Sequence, residues 1–159
     1  MVNVLFVCLG NICRSPTAEG VFRKIVKKHG MSDMISIDSA GTGNWHLGNP
    51  PDQRAIEAAS KRSIDISHLR ARRFSSSDFL KFDYILTMDR QNLKSLRRDC
   101  PVSFDGHVGL LLDFLGENNF YDVPDPYYSG DQGFEIVLDL VFEAVENLFQ
   151  HILKHHISL

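Results

Sequence analysis

The sequence predicts an α/β fold: a single three-layer domain over residues 1–159, with a four-stranded parallel sheet and helices on both faces. Two observations carry that expectation. Four short apolar runs, Val2–Cys8, Ile35–Ala40, Tyr84–Met88 and Val108–Leu112, alternate with segments whose apolar residues recur at helical spacing, as in sheets built from successive β–α–β units. The length of 159 residues, 43% of them hydrophobic and 23% charged, suits one sizeable core, and no repeat or Pro/Gly/Ser-rich linker divides it.

Each element has a local reason. Val2–Cys8 is short, apolar and rich in β-branched residues, the composition of a strand buried on both faces. Ser15 and Pro16 read as an N-cap and a first-turn proline, after which Ala18, Val21, Phe22, Ile25 and Val26 keep helical spacing until Gly30. Ile35–Ala40 is the second strand, and Ala55–Arg62 lies in a helical segment beyond the Pro50-Pro51 break. Tyr84–Met88 is the third strand, Asp89 caps a helix reaching about Arg98, and Val108–Leu112 is the fourth strand. A last helix runs roughly from Gly133 to His155, with Phe134, Val137, Leu138, Val141, Val145, Leu148 and Ile152 on its apolar face.

Composition excludes several classes of function. Seventeen Lys+Arg against 20 Asp+Glu leave a net charge of −3, so the overall field does not attract nucleic acid. The run from Val4 to Leu9 is too short to span a bilayer and lacks a basic leader, so neither a membrane anchor nor a signal peptide is expected. Three cysteines, an odd number, do not make a disulfide framework. The expectation is a cytoplasmic, reduced protein whose special cysteines are chemical.

Parallel sheets bind ligands where strands end and helices begin, which directs attention to the first such turn. It reads Cys8-Leu9-Gly10-Asn11-Ile12-Cys13-Arg14-Ser15. A tight loop of this length can aim several backbone N–H groups inward as an anion nest, and the following helix adds its positive end. Gly10 and Asn11 tolerate left-handed backbone. Arg14 offers a planar fork for two phosphate oxygens. Cys8, at the base of such a cradle, sits in a field that favours a thiolate, a nucleophile in line with a bound phosphoryl group. Ser15 can donate a hydrogen bond to that sulfur.

Phosphoryl transfer to a thiolate also needs a proton for the leaving oxygen. The best candidate lies in Asp122-Val123-Pro124-Asp125-Pro126-Tyr127-Tyr128-Ser129-Gly130, where two prolines hold Asp125 on a stiff turn. Tyr127 and Tyr128 can wall a pocket for an aromatic ring. By composition alone, Arg70, Arg72 and Arg73 read as a solvated face, Cys100 as structural, and His155 and His156 as a polar tail.

The stretch from Val4 to Pro16 with Thr17-Ala18-Glu19, Ser39-Ala40-Gly41-Thr42, and Asp125-Pro126-Tyr127-Tyr128 together resemble the low-molecular-weight protein tyrosine phosphatases over essentially the whole chain. That resemblance implies a phosphocysteine at Cys8, phosphate held by Arg14 and the loop residues Leu9, Gly10, Asn11, Ile12, Cys13 and Ser15, and Asp125 as acid and then base. It implies a hydrogen-bond network of Asn11, Ser15, Ser39 and His68 shaping the loop, and an aromatic rim of Trp45, Tyr127 and Tyr128. It also implies a reversible disulfide between Cys8 and Cys13, although Cys13 can equally be a helix-start packing residue. No metal or cofactor is expected. The implied partners are phosphotyrosine-containing proteins, with phosphate or another oxyanion in the site, and the chain is expected as a monomer or weak homodimer.

Three other readings compete. Arsenate reductases use such a loop but relay through two further cysteines close together, whereas Cys100 is the sole downstream cysteine here. Phosphoarginine phosphatases carry threonine where this chain has Ile12. A non-catalytic phosphotyrosine-binding module would lack the nucleophile or the acid.

Overall fold

A computed structural model describes residues 1–116 and 122–157. Its sheet is four-stranded and wholly parallel, in the order β2-β1-β3-β4. The strands are β1 (Val2–Cys8), β2 (Ile35–Gly41), β3 (Tyr84–Thr87) and β4 (His107–Leu110). The helices are α1 (Arg14–Lys28), α2 (Gln53–Ser60), the single turn α3 (Asp78–Lys81), α4 (Arg90–Asp99) and α5 (Asp131–His156). Two 3₁₀ turns, Leu111–Leu115 and Pro126–Tyr128, complete the described chain.

Alternation along β1 divides the core in two, because successive side chains of a strand leave opposite faces. Val4, Phe6 and Cys8 join the larger cluster beneath α1, α2 and α5, where Phe6 meets Phe22 edge-on at 5.7 Å. Leu5 and Val7 join Phe79, Phe82, Ile85 and Leu96 on the other face, beneath α3 and α4. The three-layer α/β expectation is met. Among the described residues, no helix is long and apolar enough to cross a membrane.

Three local departures matter. Helix α1 begins at Arg14, with Cys13 as N-cap and no side-chain cap bond, so Ser15 lies inside the first turn and does not cap it. The fourth strand stops at Leu110 because Leu111 and Leu112 wind into a 3₁₀ turn that buries both in the larger core. The short α3 had no sequence signature, since Ser75-Ser76-Ser77-Asp78 reads as loop.

The register places the site. Cys8 ends β1 opposite Gly41 of β2, while Val7 pairs with Thr87 of β3. The turn after Cys8 therefore opens at the carboxyl edge of the two central strands.

Candidate active site

The loop from Cys8 to Cys13 is stitched outward through its carbonyls. Thr42 N–H donates to Cys8 C=O and Gly43 N–H to Leu9 C=O, each at 2.9 Å; Asp52 N–H donates to Ile12 C=O at 2.8 Å. Thr17 Oγ1 donates to Cys13 C=O at 2.7 Å. Among the described residues, the amides of Leu9, Gly10, Ile12 and Cys13 donate to no protein acceptor, which leaves them for an anion. Asn11 takes the left-handed backbone, with φ +57°. Gly10 does not, and its value is space: a Cβ there would come 3.1 Å from the His46 ring.

Beneath the loop the side chains form a buried chain of hydrogen bonds. Asn11 Nδ2 donates to Ser15 Oγ at 2.8 Å and to Ser39 Oγ at 3.0 Å, and Asn11 Oδ1 accepts from Arg72 N–H at 3.0 Å. Ser39 Oγ in turn donates to Glu19 Oε1 at 2.7 Å, and Arg23 Nε donates to Glu19 Oε2 at 2.9 Å. Burial raises the Glu19 carboxyl above its ordinary value, and the bonds from Ser39 and Arg23 oppose that rise. The Ser15 hydroxyl, already accepting from Asn11, has its one proton left for Cys8 Sγ at 3.0 Å or Ala40 C=O at 3.4 Å. Asn11 N–H donates to the same sulfur at 3.2 Å. The Asn11 amide thus donates to the Cys8 sulfur and the Ser15 hydroxyl is placed to donate to it as well, an arrangement that suits a thiolate.

Arg14 is buried, yet its fork is anchored. Nη1 donates to Asp89 Oδ2 at 2.7 Å and to Val123 C=O at 3.1 Å, and Nη2 lies 3.6 Å from Asp125 Oδ2. Burial alone would lower its pKa, but Cys8, Asp89 and Asp125 outweigh burial and raise it. Asp89 also caps α4 by accepting from Asn92 N–H at 2.7 Å, so one carboxylate ties the arginine to a helix start. Asp125 caps the Pro126–Tyr128 turn through Oδ1, which accepts from Tyr127 N–H at 3.1 Å.

These groups face a cleft of about 340 Å³, with Cys8, Ile12, Cys13 and Arg14 at its base and Trp45, His46, Asp125, Tyr127 and Tyr128 around it. Trp45 is 68% exposed and Tyr128 89%, and the two tyrosine rings meet edge-on at 4.9 Å. Cys13 is buried; that burial, with Asp52, Cys8 and Asp125 nearby, raises its thiol far above the free value. Cys8, Cys13 and Cys100 are all free thiols.

The structure therefore brings together every predicted site residue except one. His68 is exposed and takes no part in the network under the loop. Asn11 Oδ1 accepts from the main chain of Arg72 instead, a partner that no side-chain pattern announces. Arg72 itself is half-buried rather than a freely solvated residue, and its guanidinium pairs with Asp38 at 3.0 Å and Asp78 at 3.1 Å. Sequence reasoning also passed over His46 and took Asp89 for a cap alone.

Comparison with known proteins agrees with this geometry. The model of the family described as low molecular weight phosphotyrosine protein phosphatase matches residues 3–157. The low molecular weight protein-tyrosine-phosphatase YfkJ of Bacillus subtilis is 44% identical over 154 residues, covering 97% of each chain; its crystal structure superposes with a TM-score of 0.92 over 98% of this chain and 97% of that one. A protein tyrosine phosphatase structure from Entamoeba histolytica gives a TM-score of 0.92 at 38% identity, covering 97% of this chain and 98% of that one. A Drosophila arginine phosphatase structure gives 0.88 at 32% identity, covering 95% and 97%. With a family model spanning nearly its whole length, the chain belongs to the low molecular weight phosphotyrosine protein phosphatase family.

Proposed function

We infer that the chain hydrolyses phosphotyrosine in proteins, and small aryl phosphates, through a phosphocysteine on Cys8. The observation that carries this reading is the sulfur's position: Ser15 Oγ at 3.0 Å and Asn11 N–H at 3.2 Å hold it at the base of a cleft that also presents Arg14 and Asp125.

The phosphate dianion lies on the free loop amides and the Arg14 fork, whose charge grips the equatorial oxygens as they gain charge in the transition state. Cys8 thiolate attacks phosphorus in line; the S–P bond forms as the P–O bond to the ring breaks, and protonated Asp125 gives its proton to the departing oxygen. Asp125, now a carboxylate, takes a proton from water while that water's oxygen attacks phosphorus. The S–P bond breaks, and Ser15 stabilises the departing thiolate. No step calls on a metal or cofactor.

Trp45, Tyr127 and Tyr128 flank the ring, and apolar Ile12 offers no hydroxyl to a guanidinium substrate, which favours tyrosine over arginine. The Cys13 thiol lines the same cleft as Cys8 and can trap an oxidised sulfur as a disulfide. Three free thiols suit a reduced cytoplasmic setting. The exposed Tyr128 suits a monomer or at most weak self-association.

The test is aryl phosphate hydrolysis at mildly acidic pH with a chelator present, comparing wild type, Cys8→Ser and Asp125→Ala. Wild-type turnover, lost in the first variant and strongly slowed in the second, supports the reading; turnover surviving Cys8→Ser contradicts it.

A further inference from the structure

Beside the cleft, Arg54 makes a set of contacts that the reaction scheme does not use. It stands at the start of α2. Nε and Nη2 grip the two oxygens of Asp52 at 3.0 and 2.9 Å. Nη2 also donates to Tyr127 C=O at 3.1 Å. The guanidinium carbon lies 5.6 Å from the Tyr127 ring centre and 4.9 Å from that of Phe134 in α5, within cation–π range of both.

Followed outward, these bonds join the two halves of the site. On one side, Asp52 N–H donates to Ile12 C=O in the phosphate loop. On the other, Tyr127 accepts from Arg54 through its carbonyl and donates through its N–H to Asp125 Oδ1. A continuous line of hydrogen bonds runs from the phosphate loop to the carboxyl group opposite it.

The direct links between these halves both run through Arg14, in the hydrogen bond from Nη1 to Val123 C=O at 3.1 Å and the ion pair of Nη2 with Asp125 at 3.6 Å. A phosphate dianion on the same fork competes with that pair when the acid is needed. Arg54 is not subject to this competition, because it holds a backbone carbonyl and Asp52 already neutralises its charge.

We propose that Arg54 is a positioning residue for proton transfer, bracing the Asp125 turn against the phosphate loop when substrate occupies Arg14. This rests on Asp125 being the general acid. A brace of this kind matters most where protonation of the leaving oxygen is demanding, and little where the leaving phenol is a strong acid.

The experiment measures kcat/KM, which reports phosphocysteine formation, for aryl phosphates from a strongly acidic nitrophenol to a tyrosine phosphopeptide. Wild type, Arg54→Ala, Asp125→Ala and the double variant are compared. Arg54→Ala should lose about 10- to 100-fold on the phosphopeptide and less than about 3-fold on the nitrophenyl ester. In the Asp125→Ala background it should cost nothing further on either. Equal loss on all substrates, or losses that multiply in the double variant, would make Arg54 merely structural and overturn the proposal. If Asp125→Ala shows no leaving-group dependence, Asp125 is not the acid and the underlying reading falls with the brace. If Arg54→Ala does not fold, Arg54→Lys, which keeps the charge and loses the fork, must show the same selective loss in weaker form; an unselective loss there overturns the proposal as well.

Discussion

The phosphate loop and the acid turn face each other across one cleft and are built in opposite ways. Asn11, Arg14 and Ser15 are buried and fixed by side chains from α1, β2 and the start of α4. Asp125, Tyr127 and Tyr128 are exposed, held by a 3₁₀ turn, an ion pair at 3.6 Å and Arg54 on a carbonyl. Anion binding and thiolate stabilisation are thus organised during folding, where packing and a closed polar network supply rigidity. Proton transfer is left to an exposed segment that must admit the substrate ring.

Substitutions can break this contrast at either end. The largest effect is expected for Cys8→Ser: turnover of a tyrosine phosphopeptide falls by at least about 10⁴-fold, while calorimetry still detects phosphate binding because the loop amides and Arg14 remain. Asp125→Asn comes next, lowering kcat/KM by about 10²- to 10³-fold. Phosphate inhibits that variant at least as well as wild type, since a carboxylate competing for Arg14 is gone.

A pair of glycines sharpens the comparison. A Cβ on Gly41 would lie 2.9 Å from Leu9 C=O and 3.2 Å from Asn11 Cβ, so Gly41→Ala must push the phosphate loop. A loss of about 10- to 100-fold in kcat/KM is expected. A Cβ on Gly133, beneath the acid turn, would meet chiefly the Ser129 hydroxyl, which can rotate away. Gly133→Ala should cost less than about 3-fold in the same assay, and an equal loss at both positions would erase the distinction. At the rim, Trp45→Ala should raise KM for aryl phosphates a few-fold with kcat unchanged, the mark of lost uniform binding.

The smallest effect concerns pH. Glu19, under the phosphate loop, has a folded pKa raised by burial above its ordinary value of 4.5. The stability that its protonated form contributes is fully present below about 4.5 and is lost as pH rises through the folded pKa. Melting curves across that window should show wild type losing ground to Glu19→Gln as pH rises, by a few degrees at most. A difference that does not change with pH would mean the carboxyl does not titrate there.

The reacting groups were legible because chemistry concentrates them. Cys8 to Ser15 is one contiguous segment that runs from the end of an apolar strand into the first turn of a periodic helix, and Asp125 stands between two prolines. The strands were legible for a related reason, since parallel strands buried on both faces read as unbroken apolar runs. What stayed hidden was assembled by the fold from single residues far apart. Arg54 and Arg72 look like solvated charges in sequence and Asp89 like a helix cap only, and their further roles come through partners such as Tyr127, Asn11 and Arg14. His68 is exposed and outside the network, and Asn11 Oδ1 accepts instead from a backbone N–H, which any residue supplies. Ser15 does not cap α1 because the helix starts at Arg14 with Cys13 as its cap, two residues before the start that a Ser15 cap requires, and the Ser15 hydroxyl is left within reach of Cys8.

The most direct measurement is rapid quench in acid during turnover of a tyrosine phosphopeptide, followed by mass spectrometry of the digested enzyme. The expected result is one phosphoryl group on the peptide containing Cys8, accumulating in wild type and absent in Cys8→Ser. A phosphoryl group on any other residue, or turnover with no phosphoenzyme even when the second step is slowed by Asp125→Ala, would contradict a thiolate working at the base of a preformed phosphate loop.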